Sequence, residues 1–570
     1  MLIIFAVERR WIIPAVEERE DEVIPWPDLC GVPCIASLLR RKGFGCVDDV
    51  QAFLQPRLRS LSDPFLLPNM NAAVARVLQA IDRRERIVLF GDYDVDGVTS
   101  LALLDEMLRA YGAAPDLFLP LRMEEGYGLS RESVERCWHQ FEPQLLVAVD
   151  CGTSSVVEIA ELKSRGADVI VLDHHEPKAA LPVCVAVVNP KISGECASRY
   201  LSSAGVAFKL CHALLKTRAL SGFDLRTQLD LVALGTVADI VPLEAENRTL
   251  VCHGIRQIAR SQRRGLRKLM ELSGVGTDIC AEDIGFRLGP RLNAAGRLAT
   301  AEKALQLLRT RDDMEAAELA SFLDVQNRER QAVEKEIFAA ADEEVMENFY
   351  TRAAAIVAGR RGWHQGVLGI VASRLVRKFH RPTIVIGFDE NGFGKGSGRS
   401  IEGVSLVAAL SRCEKWLEKF GGHEMAAGLT MREEHLHAFA DEFRRVVREL
   451  VSEEDLEPRL HLDHELSLSQ LDGDLLRWHG TLKPFGSGNP QPLFFARGVE
   501  PAITPQVIKE KHLLLRLRQR NYHARAIYFE GASAPLPEPP WDVAFRIHSN
   551  EYEGEKRLQV QVEALRAAAR

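Results

Sequence analysis

Ile87-Val88-Leu89-Phe90 is a short apolar run that passes directly into Gly91-Asp92-Tyr93-Asp94-Val95-Asp96-Gly97. A run of this length and composition, bounded by a glycine, reads as a buried strand. The pattern returns twice downstream. Leu145-Leu146-Val147-Ala148-Val149 runs into Asp150-Cys151-Gly152, and Val169-Ile170-Val171-Leu172 into Asp173-His174-His175. Helical stretches separate the runs, so the fold class is α/β, built from βαβ units on a parallel sheet. Each acidic motif then falls at a strand end, where a doubly wound sheet places its ligand crevice.

In an extended segment alternate residues share a face, so Asp92, Asp94 and Asp96 are expected to point the same way, with Gly97 allowing the turn into a helix. Three such carboxylates repel one another and call for cations. A fourth element, Leu234-Gly235-Thr236-Val237-Ala238-Asp239-Ile240-Val241-Pro242, adds an acid in apolar surroundings where an unpaired charge is costly. Carboxylates joined by one or two imidazoles favour Mn²⁺ or Mg²⁺ over zinc, the histidines tilting the choice toward Mn²⁺. There are enough acids for two ions about 4 Å apart, which would clamp the attacking and leaving oxygens of a phosphodiester.

Other readings of the same motifs are weaker. Asp-x-Asp-x-Asp-Gly resembles the start of a calcium-binding EF-hand loop, but a strand precedes it and Leu103 stands where that loop needs its glutamate. Asp150 alone would serve as a helix cap, and His174 or His175 alone as a structural histidine. Their joint occurrence at strand ends favours a metal site.

The chain of 570 residues exceeds the roughly 250 to 300 over which one hydrophobic core grows. Five segments are expected: an accessory segment over 1–80, the acidic α/β domain over 81–299, a connecting helix over 300–348, a second α/β domain over 349–452 and a β-barrel over 453–570. The opening Met1 to Val7 run reads as a first strand or a frayed end, too short for a membrane span. The accessory segment, with turns such as Pro25-Trp26-Pro27, shows no chemistry. Eleven scattered cysteines without a C-x-x-C pair suggest neither a disulfide framework nor a thiolate zinc site, and fit a reducing cytoplasm. The net charge of −8 argues against a surface that neutralises phosphates throughout, yet leaves room for a local nucleic-acid groove.

Asp92 to Gly97, Asp150-Cys151-Gly152, Asp173-His174-His175 and Gly235 to Pro242, in this order, resemble the motifs of the DHH phosphoesterase superfamily. The first is the variant of the RecJ family of single-strand-specific 5′→3′ DNA exonucleases. The resemblance extends through Arg291-Leu292-Asn293-Ala294-Ala295-Gly296-Arg297, Gly362 to Gly369, Gly396-Ser397-Gly398-Arg399-Ser400, Phe420-Gly421-Gly422-His423 and Pro484-Phe485-Gly486-Ser487-Gly488-Asn489-Pro490. It implies two lobes facing a groove (a DHH and a DHHA1 domain), a joining helix and an oligonucleotide-binding (OB-fold) barrel.

By this resemblance Asp94, Asp96, Asp150, His174 and Asp239 would hold Mn²⁺ or Mg²⁺, with Asp92 beside them, and His175 would meet the scissile phosphate. Arg122, Ser397 and Arg399 would hold a terminal 5′ phosphate and so set polarity. The implied partner is single-stranded DNA with a 5′ end, joined by a single-strand-binding protein and a RecQ-type helicase. The enzyme would act as a monomer, away from membranes, releasing mononucleotides in DNA repair and recombination.

Glycines between Gly394 and Ser400 suit close approach of backbone N–H groups, a hydroxyl and a guanidinium to a phosphate, the alternative being a flexible loop. Arg291 and Arg297 flank Asn293 in what reads as a small-residue turn suited to anion contact, or as plain surface charge. By the same resemblance His423, after Gly421-Gly422, joins the substrate-binding candidates. Arg516, Arg518 and Arg520 alternate with Leu515 and Leu517, a stripe able to track a phosphate backbone or merely to face solvent. Two rival functions remain on the sequence: a phosphodiesterase of short oligoribonucleotides or cyclic dinucleotides, and a non-catalytic scaffold, which the retained acids disfavour.

Overall fold

The computed structural model describes residues 9–14, 31–122, 124–178, 180–192, 194, 196–298, 300–347, 353–552 and 555–568. The Met1 to Val7 run and the Pro25-Trp26-Pro27 turn lie outside the described residues. Two compact units form. One comprises Asp48–Glu329 with Leu482–Gln491, the other the described parts of Met1–Val47, Arg330–Thr481 and Pro492–Arg570.

The first unit is built on five parallel strands, β1 (Ile87–Gly91), β2 (Asp116–Phe118), β3 (Leu145–Val149), β4 (Asp168–Leu172) and β5 (Ala186–Val188), in the order β2-β1-β3-β4-β5. Alternation along each strand explains why both faces are covered. Ile87 and Leu89 join one core with Leu145, Val147 and Ile170, while Val88 and Phe90 join another with Leu146, Ala148 and Val171. From β1 the chain steps to one side and then crosses to the other. The switch point therefore lies between β1 and β3, whose ends carry Asp92 and Asp150.

Helices α1 (Met70–Arg83), α2 (Val95–Ala110), α3 (Ser203–Thr217) and α4 (Leu229–Ala238) complete the larger core, followed by α5 (Ala245–Ile258) and α6 (Gly289–Leu298). Two expectations are corrected here. Asp92, Asp94 and Asp96 do not share an extended segment, because Asp94 is already the N-cap of α2 and Asp96 lies in its first turn. Gly97 serves close packing: a Cβ there would sit 2.3 Å from the Asp92 carbonyl oxygen. Arg291 to Arg297 is likewise helix α6 and not a turn. Its small residues let the helix press on the motif, and a Cβ on Gly296 would lie 2.8 Å from the Tyr93 carbonyl. The expected joining helix is α7 (Asp313–Glu347), 35 residues long.

In the second unit β6 (Ile356–Arg361), α8 (Leu368–Phe379), β7 (Thr383–Phe388), β8 (Phe393–Arg399), β9 (Lys419–Gly422), β10 (Ala426–Arg432) and α9 (Leu436–Leu450) make a mixed sheet of order β9-β10-β8-β7-β6. The glycine-rich stretch Gly394 to Arg399 is strand β8 rather than a loop. A Cβ on Gly394 would lie 2.5 Å from the Phe388 ring and one on Gly396 2.9 Å from Leu429, so these glycines are required by what packs on them.

The C-terminal strands β11 (Phe494–Pro501), β12 (His512–Gln519), β13 (Tyr522–Tyr528), β14 (Trp541–Tyr552) and β15 (Glu555–Ala567) pair in the order β11-β14-β15-β13-β12. Pairing of Glu500 with Arg518 and Pro501 with Leu517 joins β12 back to β11 and closes a five-stranded barrel of the OB type. Leu515 and Leu517 point inward and Arg516 and Arg518 outward, whereas Arg520 falls in the following turn at φ 56. No helix among the described residues is long and apolar enough to cross a membrane.

Candidate metal centre

Every acid singled out in the sequence arrives at the carboxyl edge of the five parallel strands or beside it. Asp94 caps α2, its Oδ1 accepting from the Asp96 and Gly97 amides at 2.9 and 3.2 Å. Asp96 is buried, and its two oxygens accept from the Ser203 and Ala204 amides at 2.6 and 3.0 Å, at the positive end of α3. Asp150 follows β3 at φ 64, with Oδ1 accepting from the Ser203 hydroxyl at 2.9 Å. Asp239 closes the C-terminus of α4.

His174 sits among them. Its Nε2 lies 3.3 Å from Asp239 Oδ2, 3.4 Å from Asp150 Oδ1 and 4.0 Å from Asp96 Oδ2. Among the described residues, three groups have ligand atoms within 4.8 Å of one another: Asp96-His174-Asp239, Asp92-Asp94-Asp150 and Asp150-His174-His175. The first two share no residue.

The electrostatics of this cluster are those of a site built for positive charge. Burial, reinforced by the Asp94 charge, holds Asp92 and Asp150 well above the usual carboxylate range and pushes Asp96 up to about 7. Burial and the Asp96 charge push Asp239 up to about 9. Burial and the neighbouring His175 charge push His174 down to about 3, leaving a neutral imidazole whose lone pair is available. Both Asp92 oxygens, His174 Nε2 and Asp239 Oδ2 are buried without a hydrogen-bond partner. Unsatisfied buried acceptors of this kind are rare, and a carboxylate and imidazole set of this chemistry fits Mn²⁺ or Mg²⁺.

Two residues absent from the expected site complete it. Asp173 accepts from the Thr153, His174 and His175 amides at 3.0, 2.7 and 3.2 Å and from His175 Nδ1 at 2.8 Å. Burial alone would raise its pKa, but the His175 contact overrides this and holds it well below the carboxylate range. Tyr127 Oη donates to the Asp150 carbonyl at 2.8 Å and lies 3.1 Å from His175 Nε2. Asp173 thus holds the His175 ring through Nδ1, and the Tyr127 hydroxyl lies against the same ring, 3.3 Å from Nδ1. No local pattern in the sequence marks Tyr127 for this role, since its partners come from β3 and β4; Asp173 was visible as the first residue of its motif.

The expected phosphate contacts divide. The Arg122 guanidinium lies over the Tyr93 ring, 4.8 Å from its centroid, and the Arg297 charge also bears on Tyr93. Arg291, in contrast, is engaged by its own unit: Nε donates to Asp324 at 2.9 Å and Nη1 to the Arg287 carbonyl at 2.7 Å. Asn293 Oδ1 accepts from the Val95 amide at 3.1 Å. Within the second unit, Ser397 and Arg399 converge on the N-terminus of α8, where a Cβ on Gly369 would lie 3.0 Å from Ser397 Oγ and 2.9 Å from Arg399 Nη2. Arg399 also donates to Ser397 Oγ at 3.1 Å. His423 is exposed just after β9, its amide donating to the Ala426 carbonyl at 2.8 Å.

Comparison with known proteins matches residues 86–236 to the DHH family N-terminal domain, 351–449 to the DHHA1 domain and 462–564 to the RecJ OB domain. The single-stranded-DNA-specific exonuclease RecJ of Bacillus subtilis is 37% identical over 93% of this chain and 67% of its own. Crystal structures of Thermus thermophilus RecJ in complex with Mn²⁺ and with Mg²⁺ superimpose with TM-scores of 0.84 and 0.76, at 32% and 30% identity. Both alignments cover 98% of this chain, with 80% and 79% of the respective structures.

Proposed function

The chain belongs to the RecJ family of single-stranded-DNA-specific exonucleases, and from that membership we propose that it removes mononucleotides from the 5′ end of single-stranded DNA by hydrolysis that depends on two divalent cations, Mn²⁺ or Mg²⁺. The observation that carries the two-cation reading is the pair of three-residue ligand sets with no member in common. Asp96, His174 and Asp239 would hold one cation, and Asp92, Asp94 and Asp150 the other. Bound there, the cations supply neutralisation of phosphate charge and a lowered pKa for the attacking water.

The protein groups do the rest. His175, fixed between Asp173 and Tyr127, presents its ring at the edge of the acidic cluster and is the group we assign to the scissile phosphate. Arg122 and Arg297 supply cationic donors beside Tyr93, and Ser397 and Arg399 supply a hydroxyl and a guanidinium at the N-terminus of α8, an arrangement suited to a terminal 5′ phosphate. Arg291, Asn293 and His423 complete the assignment, the first two through the elements they fix. Outward Arg516 and Arg518 on β12, the latter paired with Glu500 at 2.5 Å, offer the barrel guanidinium groups for the strand's backbone. A role in DNA repair and recombination, alongside a single-strand-binding protein and a RecQ-type helicase, follows from the same reading.

The test is digestion of single-stranded DNA labelled at either end, with Mn²⁺ or with excess chelator. Early release of the 5′ label, only with metal, is expected. Early release of the 3′ label would overturn the polarity, and cleavage in chelator would overturn the cation chemistry.

A further inference from the structure

Residues Leu482–Gln491 pack with the metal-bearing unit although the chain on either side belongs to the other unit. This strap closes on itself through Asn489. The buried Asn489 side chain donates from Nδ2 to the carbonyls of Leu482 at 2.9 Å and Pro484 at 2.8 Å, and its backbone exchanges hydrogen bonds with Gly486 at 2.9 and 3.2 Å. The strap then grips one short segment. The Leu243 amide donates to the Ser487 carbonyl at 2.8 Å, and Arg248 Nη1, on α5, donates to the Leu482 carbonyl at 3.0 Å. Glycine is required at two contact points. A Cβ on Gly486 would lie 2.7 Å from Leu243 Cδ1, and one on Gly488, at φ 71, 2.9 Å from Pro242 Cβ. From within the unit Asn247 Nδ2 holds the Pro242 carbonyl at 3.0 Å, so Pro242 to Glu244 is clamped by two different stretches of chain.

That segment begins three residues after Asp239. Leu243 packs with Val251, Ala281 and Val237, and Val237 lies on the helix turn that ends in Asp239. Between them Ile240 is exposed and held at φ 62. A β-branched residue in that conformation is strained and persists only where its surroundings over-determine it. The clamped Pro242 to Glu244 segment is what over-determines it on the C-terminal side.

We propose that the strap Leu482–Gln491 positions a metal ligand: by holding Pro242 to Glu244 it fixes the Ile240 turn and so aims the Asp239 carboxylate at its cation. Asn489 and Gly486 are thus positioning residues, and the idea rests on Asp239 being a ligand. The loss expected on loosening the strap is that of an outer-shell partner, about tenfold or more in metal affinity.

The experiment titrates the full-length protein with Mn²⁺, reading free Mn²⁺ by electron paramagnetic resonance, for the unaltered chain, Asn489→Ala, Gly486→Ala and Asp239→Ala. Expected are Mn²⁺ affinities about tenfold weaker for the strap variants, kcat restored by excess Mn²⁺, and an unchanged KM for single-stranded DNA. Gly486→Ala, whose added Cβ pushes against the buried Leu243 side chain, decides the matter if Asn489→Ala does not fold. Strap variants with lowered thermal stability but unaltered Mn²⁺ affinity would overturn the proposal. If Asp239→Ala also binds Mn²⁺ normally, the assignment of Asp239 as a ligand is what has failed.

Discussion

Asn293 Oδ1 accepts the backbone N–H of Val95 at 3.1 Å across a sequence separation of 198 positions. The Val95 amide is one of the donors that the start of α2 leaves without an intrahelical partner, and the Asp94 side chain already serves the next two. Helix α6 therefore completes the cap of the helix that carries the first acidic motif. Asn293→Ala leaves a donor of the buried Val95 unpaired, at a cost of about 1–3 kcal/mol. We expect a lower melting temperature and weaker Mn²⁺ binding, checked by calorimetry and metal titration. A variant that changed only the KM for DNA would instead make Asn293 a direct substrate contact.

The ligand assignments give a sharper prediction. His174→Ala and Asp150→Ala each remove a group shared by two of the three ligand clusters. Hydrolysis is expected to fall beyond the roughly 10–100-fold typical of outer-shell changes, with single-stranded DNA affinity, measured in chelator by fluorescence anisotropy, largely kept. Because Asp150 stands at φ 64, Asp150→Asn is the companion that avoids added backbone strain. Parallel loss of binding and cleavage in all three would mark the residues as structural.

The gathering of the acids was legible because its signal is local: the acidic motifs follow apolar runs, and strand ends in a parallel sheet must gather at one edge. What the sequence left hidden depends on distant partners. Arg291 to Arg297 reads as a turn from its small residues, yet those residues are small because α6 lies against Tyr93. The glycines of Gly394 to Ser400 read as room for a phosphate, yet those at Gly394 and Gly396 make room for Phe388 and Leu429 packed against β8. The hold of Tyr127 on His175 and the strap over Leu243 have no sequence period, since each joins elements far apart in the chain.

Acidity should couple to metal binding with a definite sign. In the metal-free protein Asp96 stands at about 7 and Asp239 at about 9, both above the ordinary aspartate value near ~3.9. The folded chain thus holds protons that the unfolded chain has lost, so the contribution of these groups to stability falls as pH rises toward 9. His174, pushed down to about 3, is neutral in both states above pH ~7 and adds nothing there. Between pH ~7 and ~9 the metal-free melting temperature should fall, and the rise produced by Mn²⁺ should grow, because the cation displaces those protons. Differential scanning calorimetry at both pH values checks this. A Mn²⁺ effect that shrinks with pH would contradict it.

Arg122 and Arg291 should separate cleanly. Arg122 lies over Tyr93 and is assigned to the terminal phosphate, so Arg122→Ala should lower kcat/KM for a 5′-phosphorylated strand by roughly 10- to 100-fold, the worth of a charged hydrogen bond of about 1.5–3 kcal/mol. The 5′-hydroxyl strand should lose much less. Arg291 is paired with buried Asp324, which also receives Arg328 at 2.5 Å. Arg291→Ala therefore leaves Asp324 with one partner of two, and should cost about 1–3 kcal/mol of stability without altering the ratio of rates on the two kinds of end. Measuring that ratio for both variants decides between them. An Arg291→Ala enzyme that lost its preference for phosphorylated ends would show that the Asp324 pairing opens to receive substrate.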